Sequence, residues 1–438
     1  LDNFKIRLSA GSMGNGNVSP YSYTSEMTVS TADDIVLGGS YPSYTSVGST
    51  VPVSLTWEKS TTYDLGLDLD FLNNRLSFSG DYYRRYTTDM YTPSISLPSV
   101  YGTTSPKGNN AELRTTGWEL SLTWRDSFKL GGKPFDYSIK AMVWDNRTVV
   151  TKYENATRSL GTLKGYIQNG GSPSDFYEGM ELGEMWGYTV AGLFRDQADI
   201  DSSATHDFTQ ASDKVTRPGQ VKIADLDHNG NIDPGAFTAD DHGDLSIIGT
   251  INPHYMFGVN LAANWNGIGL SVFLQGVMKR DWYPSPDSGY FWGKYARPFM
   301  WVLGIHNYTD DMYSEEKNNW DTAYWPRMTT YQSNSSYSWT KLLEIPNTRY
   351  KQNAAYLRVK NIQVDYTFPK ALCQKIRLGG LKIYLSGENL FTFTPLHKYA
   401  PNFDPEALGY DTDFSSTAGD GYTYPVLKSV TLGVNITF

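Results

Sequence analysis

The stretch Tyr255-Met256-Phe257-Gly258-Val259-Asn260-Leu261-Ala262-Ala263-Asn264-Trp265-Asn266-Gly267-Ile268-Gly269-Leu270-Ser271-Val272-Phe273-Leu274-Gln275 decides the fold class. Tyr255, Phe257, Val259, Leu261, Ala263 and Trp265 form one apolar face of an extended strand, with Gly258, Asn260 and Asn264 between them. Asn266-Gly267 then gives the strongest short hairpin signal, because both central positions of a type I′ turn need positive φ. Beyond it Ile268, Leu270, Val272 and Leu274 alternate with Gly269, Ser271 and Gln275. The steps from Tyr255 to Trp265 cover about 33 Å, and a tilt of about 40° projects this to roughly 25 Å. That is the height of the apolar band of a membrane barrel, with an aromatic residue at each rim. A sandwich strand runs only about 5–6 residues.

Other segments repeat the alternation. Tyr63, Leu65, Leu67, Leu69 and Phe71 alternate with Asp64, Gly66, Asp68 and Asp70, and Asn73-Asn74 turns the chain into Leu76, Phe78, Tyr82 and Tyr86. Trp118, Leu120, Leu122 and Trp124 precede Gly131-Gly132, and Phe135, Tyr137, Ile139, Ala141 and Val143 return. Ile362, Val364, Tyr366 and Phe368 stop at Pro369, while Leu357 and Val359 sit on the opposite parity, so a bulge is expected near Lys360-Asn361. Leu381, Ile383 and Leu385 follow, and the chain ends on Val430, Leu432, Val434, Ile436 and Phe438.

Composition agrees with strands rather than helices. No run approaches the roughly 20 apolar residues of a spanning helix. A mean hydropathy of −0.44 suits a barrel, whose strands average lipid-facing and lumen-facing residues. Aromatic residues make up 14% of the chain, and Gly, Asn, Ser and Thr supply the turns. The net charge of −9 speaks against nucleic acid as a partner. Cys373 is the lone cysteine, so it forms no internal disulfide, and it reads as structural. No signal peptide is visible ahead of Leu1-Asp2-Asn3-Phe4, which looks like the approach to a strand, so the sequence reads as part of something longer.

Polarity fixes the sides. Short turns are expected near 72–75, 125–134, 266–267 and 369–380. Long polar, aromatic-rich stretches lie at 10–61, 92–112, 151–253, 279–350 and 392–426. Bacterial barrels keep short turns in the periplasm and long loops outside. All long stretches then emerge on the outside, provided 10–61 and 151–253 each hold an even number of extra strands. The expected fold is therefore an all-β, antiparallel transmembrane barrel portion of about ten strands, with 151–253 and 279–350 as extracellular insertions. A plugged outer-membrane transporter has about 22 strands.

Several motifs resemble those of SusC/RagA-like TonB-dependent outer-membrane transporters of Bacteroidetes-type bacteria, and the resemblance covers essentially the whole chain. They are Leu55-Thr56-Trp57-Glu58-Lys59, Met185-Trp186-Gly187-Tyr188 with Gly192-Leu193-Phe194, and Asp225–Asp233 leading to Ile248-Gly249. Tyr356-Leu357-Arg358-Val359-Lys360-Asn361, Gly387-Glu388-Asn389-Leu390-Phe391 and Tyr424-Pro425 complete the set. The resemblance implies the C-terminal part of a barrel that imports oligosaccharides or peptides. It also implies a SusD-like surface lipoprotein as a lid, and a TonB complex acting through an N-terminal region that these residues do not include. The terminal strand ending in Phe438 resembles the signal read by the barrel-assembly machinery, although any last barrel strand alternates.

Candidate sites are few. Asp225, Asp227, Asn229, Asn231 and Asp233 place oxygens at positions 1, 3, 5, 7 and 9 of a loop with Gly230 at 6, the first part of an EF-hand-like cation loop. Position 12 is Ala236, so Asp240 or Asp241 would have to complete the shell of a structural Ca²⁺ or Mg²⁺; the plain alternative is a solvated acidic turn. The 283–340 region is rich in rings, among them Tyr290, Trp292, Trp301, Trp320 and Trp325. Such rings stack on sugars, anchor a protein partner, or pack loops together, and the sequence leaves all three open. No enzyme is expected: the six histidines show no HExxH pairing, and no nucleophile elbow or P-loop is present. Asp310-Asp311 and Glu315-Glu316 are adjacent carboxylates of polar loops. The competing readings are a passive porin-like channel and a soluble all-β glycan-binding protein.

Overall fold

The computed structural model describes residues 1–16, 24, 27–48, 55–93, 107–160, 176–206, 216–284, 291, 311–327, 346–408 and 424–438. Ten long strands form one antiparallel sheet: β1 (Asn3–Asn15), β2 (Glu58–Phe71), β3 (Leu76–Pro93), β4 (Lys107–Leu130), β5 (Lys133–Lys152), β6 (His254–Trp265), β7 (Ile268–Lys279), β8 (Tyr356–Thr367), β9 (Gly380–Phe393) and β10 (Ser429–Thr437). Each strand pairs with its neighbours in sequence, so the sheet is a meander, the connectivity of an up-and-down barrel.

The hairpins form where the turn residues dictate. Asn266 and Gly267 take φ of 49° and 87°, the left-handed pair that a two-residue turn between β6 and β7 needs. Leu72, Asn73 and Asn74 turn β2 into β3 with φ of 57°, 57° and 61°. The β4–β5 turn is tighter than its sequence suggests, because the strands run to Leu130 and from Lys133. The connection from β8 to β9 holds a short helix, Lys370–Lys375, which buries Cys373. The bulge near Lys360 is present as a register shift between Val359 and Asn361.

Register carries one parity across the whole sheet. Leu69, Phe78, Leu122 and Ala141 share one cross-strand row, and Val259, Leu274, Val359 and Phe391 continue that face further round. The opposite parity is more polar, although it also holds Met142, Trp144, Met256 and Phe273. Arg7 bridges Asp68 at 2.9 Å and Asp81 at 2.8 Å, and Lys382 pairs Asp365 at 3.0 Å. An apolar face in lipid and a polar face towards a lumen is the pattern of membrane strands.

One expectation about the loops changes. Residues 107–112 belong to β4, which with its 24 residues runs about 60 Å along the barrel axis at a tilt of about 40°. Cross-strand pairing with β3 and β5 sustains it beyond the bilayer, where Asn109, Asn110 and Glu112 look like loop in sequence. Among the described residues of 10–61 the extra strands are Met27–Thr31 and Ser43–Val47, which pair with each other outside the barrel sheet, as an even number of extra strands requires.

On the long-loop side the chain packs into a cap with its own core. Glu184–Tyr188 pairs with Leu245–Thr250, Val190–Leu193 with Val221–Ile223, and Asp281–Trp282 with Gln352–Asn353. Met185, Tyr188, Leu245, Trp282, Phe291, Trp325, Tyr350 and Leu396 are buried together. Val150, near the outer end of β5, belongs to the same cluster, so the cap is seated on the extended wall.

Candidate functional site

The acidic loop hangs between two of the cap's small sheets. Ala224 N–H donates to Thr189 O at 2.9 Å at its start, and buried Leu245 opens the next strand at its end. Thr205 clamps its middle: Thr205 N–H donates to Gly230 O at 2.9 Å, and Ile232 N–H to Thr205 O at 2.8 Å. Ile232 is buried, which pulls the loop back onto the cap. Gly230 sits at φ 85°, where a side chain would be strained, so the glycine at position 6 makes the sharp turn.

Three carboxylates converge. Oxygens of Asp225, Asp227 and Asp244 lie within 4.8 Å of one another. Asp244 is fully buried; its Oδ1 accepts from Leu226 N–H at 2.6 Å and its Oδ2 from Asp233 N–H at 3.0 Å. Burial pushes its carboxyl up from the ordinary range, the two N–H groups oppose this, and the charges of Asp227 and Asp225 add to the rise. Asp225 Oδ2 accepts from Gly230 N–H at 3.0 Å, whereas its Oδ1 is buried with no partner among the described residues.

Of the five residues expected from sequence, Asp225 and Asp227 belong to this carboxylate cluster. Asn229 Nδ2 donates to Asp227 at 3.0 Å, and Asn229 Oδ1 accepts from Asn231 N–H at 2.7 Å. Asp233 Oδ1 accepts from Gly235 N–H at 2.8 Å, and Asn231 is exposed. Asp240, a candidate to complete the set, is tied to Arg158 at 2.5 Å. The third acid is Asp244 instead. No spacing rule reaches it, because the hydrogen bond from Asp244 N–H to Asp233 O, at 2.9 Å, folds the chain back only in three dimensions.

The rings sort differently from the loop. Trp325 is 1% exposed, stacks on Tyr350 at 5.6 Å and meets Phe291 edge-on at 5.4 Å. Trp282 packs on Phe403 at 5.0 Å, and Tyr324 stacks on Tyr399 at 3.5 Å. Trp320 is half-buried against the same core. For the described rings, packing is what the contacts show. Tyr290, Trp292 and Trp301 lie outside the described residues.

A buried ion cluster, invisible in the sequence, ties the cap to β8. Arg358 reaches Asp404 at 2.5 Å and also pairs with Glu406, and Lys360 reaches Glu406 at 2.6 Å. Arg280 Nη1 and Nη2 donate to the carbonyls of Pro405 and Leu408 at 3.1 and 2.8 Å. At the other end of the molecule Phe438 follows β10 and is 94% exposed.

Comparison with known proteins gives this arrangement a family. Residues 1–240 match the family described as TonB dependent receptor-like, beta-barrel. The chain belongs to that family. Its relatives include TonB-dependent receptor P3 of Formosa agariphila, 26% identical over 100% of this chain and 40% of the relative. TonB-dependent receptor SusC of Bacteroides thetaiotaomicron is 24% identical over 100% of this chain and 38% of the relative. Among solved structures, the RagAB peptide transporter aligns with a TM-score of 0.63 at 20% identity, covering 99% of this chain and 41% of that one. The RagAB peptide importer in its open-open state gives 0.66 at 20% identity, covering 100% and 40%. The chain thus spans about 40% of the length of the curated relatives it matches. The ten-stranded sheet is a TonB-dependent receptor barrel wall, and the bilayer it crosses is the outer membrane.

Proposed function

We propose that this chain is the barrel wall and extracellular cap of a SusC-type importer, taking up oligosaccharides or peptides with a SusD-like lipoprotein and TonB-derived energy. The observation that carries the reading is the division of the chain. A pore needs strands and short loops, yet a large share of these residues folds into a cap with its own core outside the membrane. Such a cap suits capture of a bulky ligand and docking of a lid. No catalytic step is assigned to it. In the full-length protein, substrate uptake should stop when the 283–340 segment is deleted or when the proton-motive force is collapsed by an uncoupler. Uptake that continues unchanged under the uncoupler would favour the passive porin-like channel.

The cap's acidic cluster is proposed to hold a structural Ca²⁺ or Mg²⁺ between Asp225, Asp227 and Asp244. Hard cations take carboxylate oxygens, and the buried, partnerless Oδ1 of Asp225 supplies an oxygen not otherwise used. A cation at 100 times its dissociation constant would stabilise the cap by about 2.7 kcal/mol. Chelation should therefore lower the cap's melting temperature in the full-length protein and leave Asp244→Asn unaffected. Equal melting of both proteins with and without chelator would leave an acidic turn. Phe438 is proposed to serve as the assembly signal, so Phe438→Ala should slow insertion into the outer membrane.

A further inference from the structure

We propose that the outward face of β3–β5, just above the apolar band, binds the phosphorylated headgroup of an outer-leaflet glycolipid. Two successive cross-strand rows make the site. One runs Tyr63, Arg84, Thr116, Arg147 and the next Thr61, Tyr86, Arg114, Val149. All three arginines are exposed, and all share the parity of the lipid-facing residues Leu69, Phe78 and Leu122. On the barrel strands neither row contains a carboxylate, although the chain as a whole carries −9. Beyond β5 the second row continues through the Val149–Glu181 bridge to Glu181, which also faces His254 Nε2 at 3.8 Å.

Geometry sets the depth. The row below holds Leu65, Tyr82, Trp118 and Asp145. Trp118 meets Tyr255 there at 6.5 Å, an upper aromatic belt. Ten residues along β4 from Trp118 lies Phe128, which contacts Phe135 at 5.0 Å and marks the lower belt. The two belts are about 25 Å apart at a tilt of about 40°, the height of an apolar band. The row of Arg84 and Arg147 lies about 5 Å further out, at headgroup depth. The one acid at the belt, Asp145, is buried and bound by His254 Nδ1 at 2.7 Å.

Spacing suits phosphate. Arg84 and Arg147 flank Thr116 on adjacent strands, so their Cα atoms are about 10 Å apart, and Arg114 stands about 7 Å above the row between them. Guanidinium side chains span such gaps and grip phosphate with paired N–H groups. Arg84 Nη2 donates to Tyr82 OH at 3.2 Å, which steadies one arm, and Arg147 Nε lies 3.9 Å from Glu181 and keeps its other nitrogens for a ligand. Continuity with the lipid-facing surface selects a lipid as the occupant.

The test uses the full-length protein in nanodiscs of neutral phosphatidylcholine doped with monophosphoryl lipid A, with fully dephosphorylated lipid A as the second arm and inorganic phosphate as the third. Wild type should bind the phosphorylated lipid and neither of the others. The triple variant R84Q, R114Q, R147Q should bind it about a hundredfold more weakly, roughly fivefold per arginine. The matching lumen-side variant Lys140→Gln should bind like wild type. Heat-modifiable gel mobility reports that each barrel has assembled, so loss of binding by an assembled triple variant supports the site. Unchanged binding by that variant, or equal binding of the dephosphorylated lipid or of inorganic phosphate, overturns it.

Discussion

Leu432 on β10 is 72% exposed and Leu8 on β1 79%, whereas Trp325 in the cap is 1% exposed and Tyr350 is fully buried. The two regions share a chain and a high aromatic content but answer to different solvents. In the wall, backbone groups are satisfied by the ladder and apolar side chains point away from the protein, because lipid takes the place of a core. In the cap, water forces the same residue types inward, and the aromatic rings that look like a ligand surface in sequence become packing. Hydropathy averaged over both regions hides the contrast.

The contrast can be broken by exchanging the chemistry of each region. Trp325→Ala should cost the cap about 3–5 kcal/mol through the cavity left beside Tyr350 and Phe291. Limited proteolysis of the full-length protein would then cut the cap early while the barrel keeps its heat-modifiable mobility. Joint loss of both would mean that the regions are one cooperative unit.

In the wall, Leu261→Arg or Val259→Arg should cost about 2–4 kcal/mol at mid-bilayer depth. Asn260→Arg, on the other parity, should be tolerated. Folding titrations in lipid vesicles compare the three, and equal penalties would defeat the assignment of faces.

A gentler probe acts on the cap alone. His206 Nδ1 meets Ala204 O at 2.9 Å and its Nε2 accepts from Ile223 N–H at 2.9 Å, so the imidazole works as a neutral clamp. Burial lowers its pKa from the ordinary 6.5 to about 4. The unfolded chain therefore takes up the proton first. Stability is complete above about pH 6.5, then falls by about 1.4 kcal/mol per pH unit, a total of roughly 3 kcal/mol near pH 4. Cap melting followed against pH should show this slope, and His206→Gln should remove it. Barrel melting should not respond in either protein.

How much was legible follows the same division. Period-two alternation exposed the wall because every second residue of Tyr255–Trp265 answers to lipid, and Asn266-Gly267 fixed the register of its hairpin. The outer reach of β4 was not legible, since Asn109, Asn110 and Glu112 show no apolar alternation; pairing with β3 and β5, and side-chain bonds such as Asn109 Nδ2 to Thr56 O at 3.0 Å, keep them extended. In the site, Asp225 and Asp227 were readable from loop spacing. Asp244 was not, because a backbone hydrogen bond brings it in from beyond the motif. Trp325 stands out in sequence only as one ring of an aromatic-rich stretch; its neighbours Tyr350 and Phe291 come from other segments, so its burial has no local signature.

The seating of the cap on β5 has a consequence for the order of assembly. Its core joins Val150 to Trp282, Tyr350 and Leu408, and Arg358 on β8 closes on Asp404 and Glu406 beyond β9. Contacts separated by hundreds of residues cannot form until loop closure has brought their ends together, and such closures are slow. Strands β5 to β9 must therefore stand side by side before these partners meet. A partly inserted chain would show loose, protease-sensitive loops at the cell surface, and tightening of the cap would mark the moment at which that part of the wall is complete.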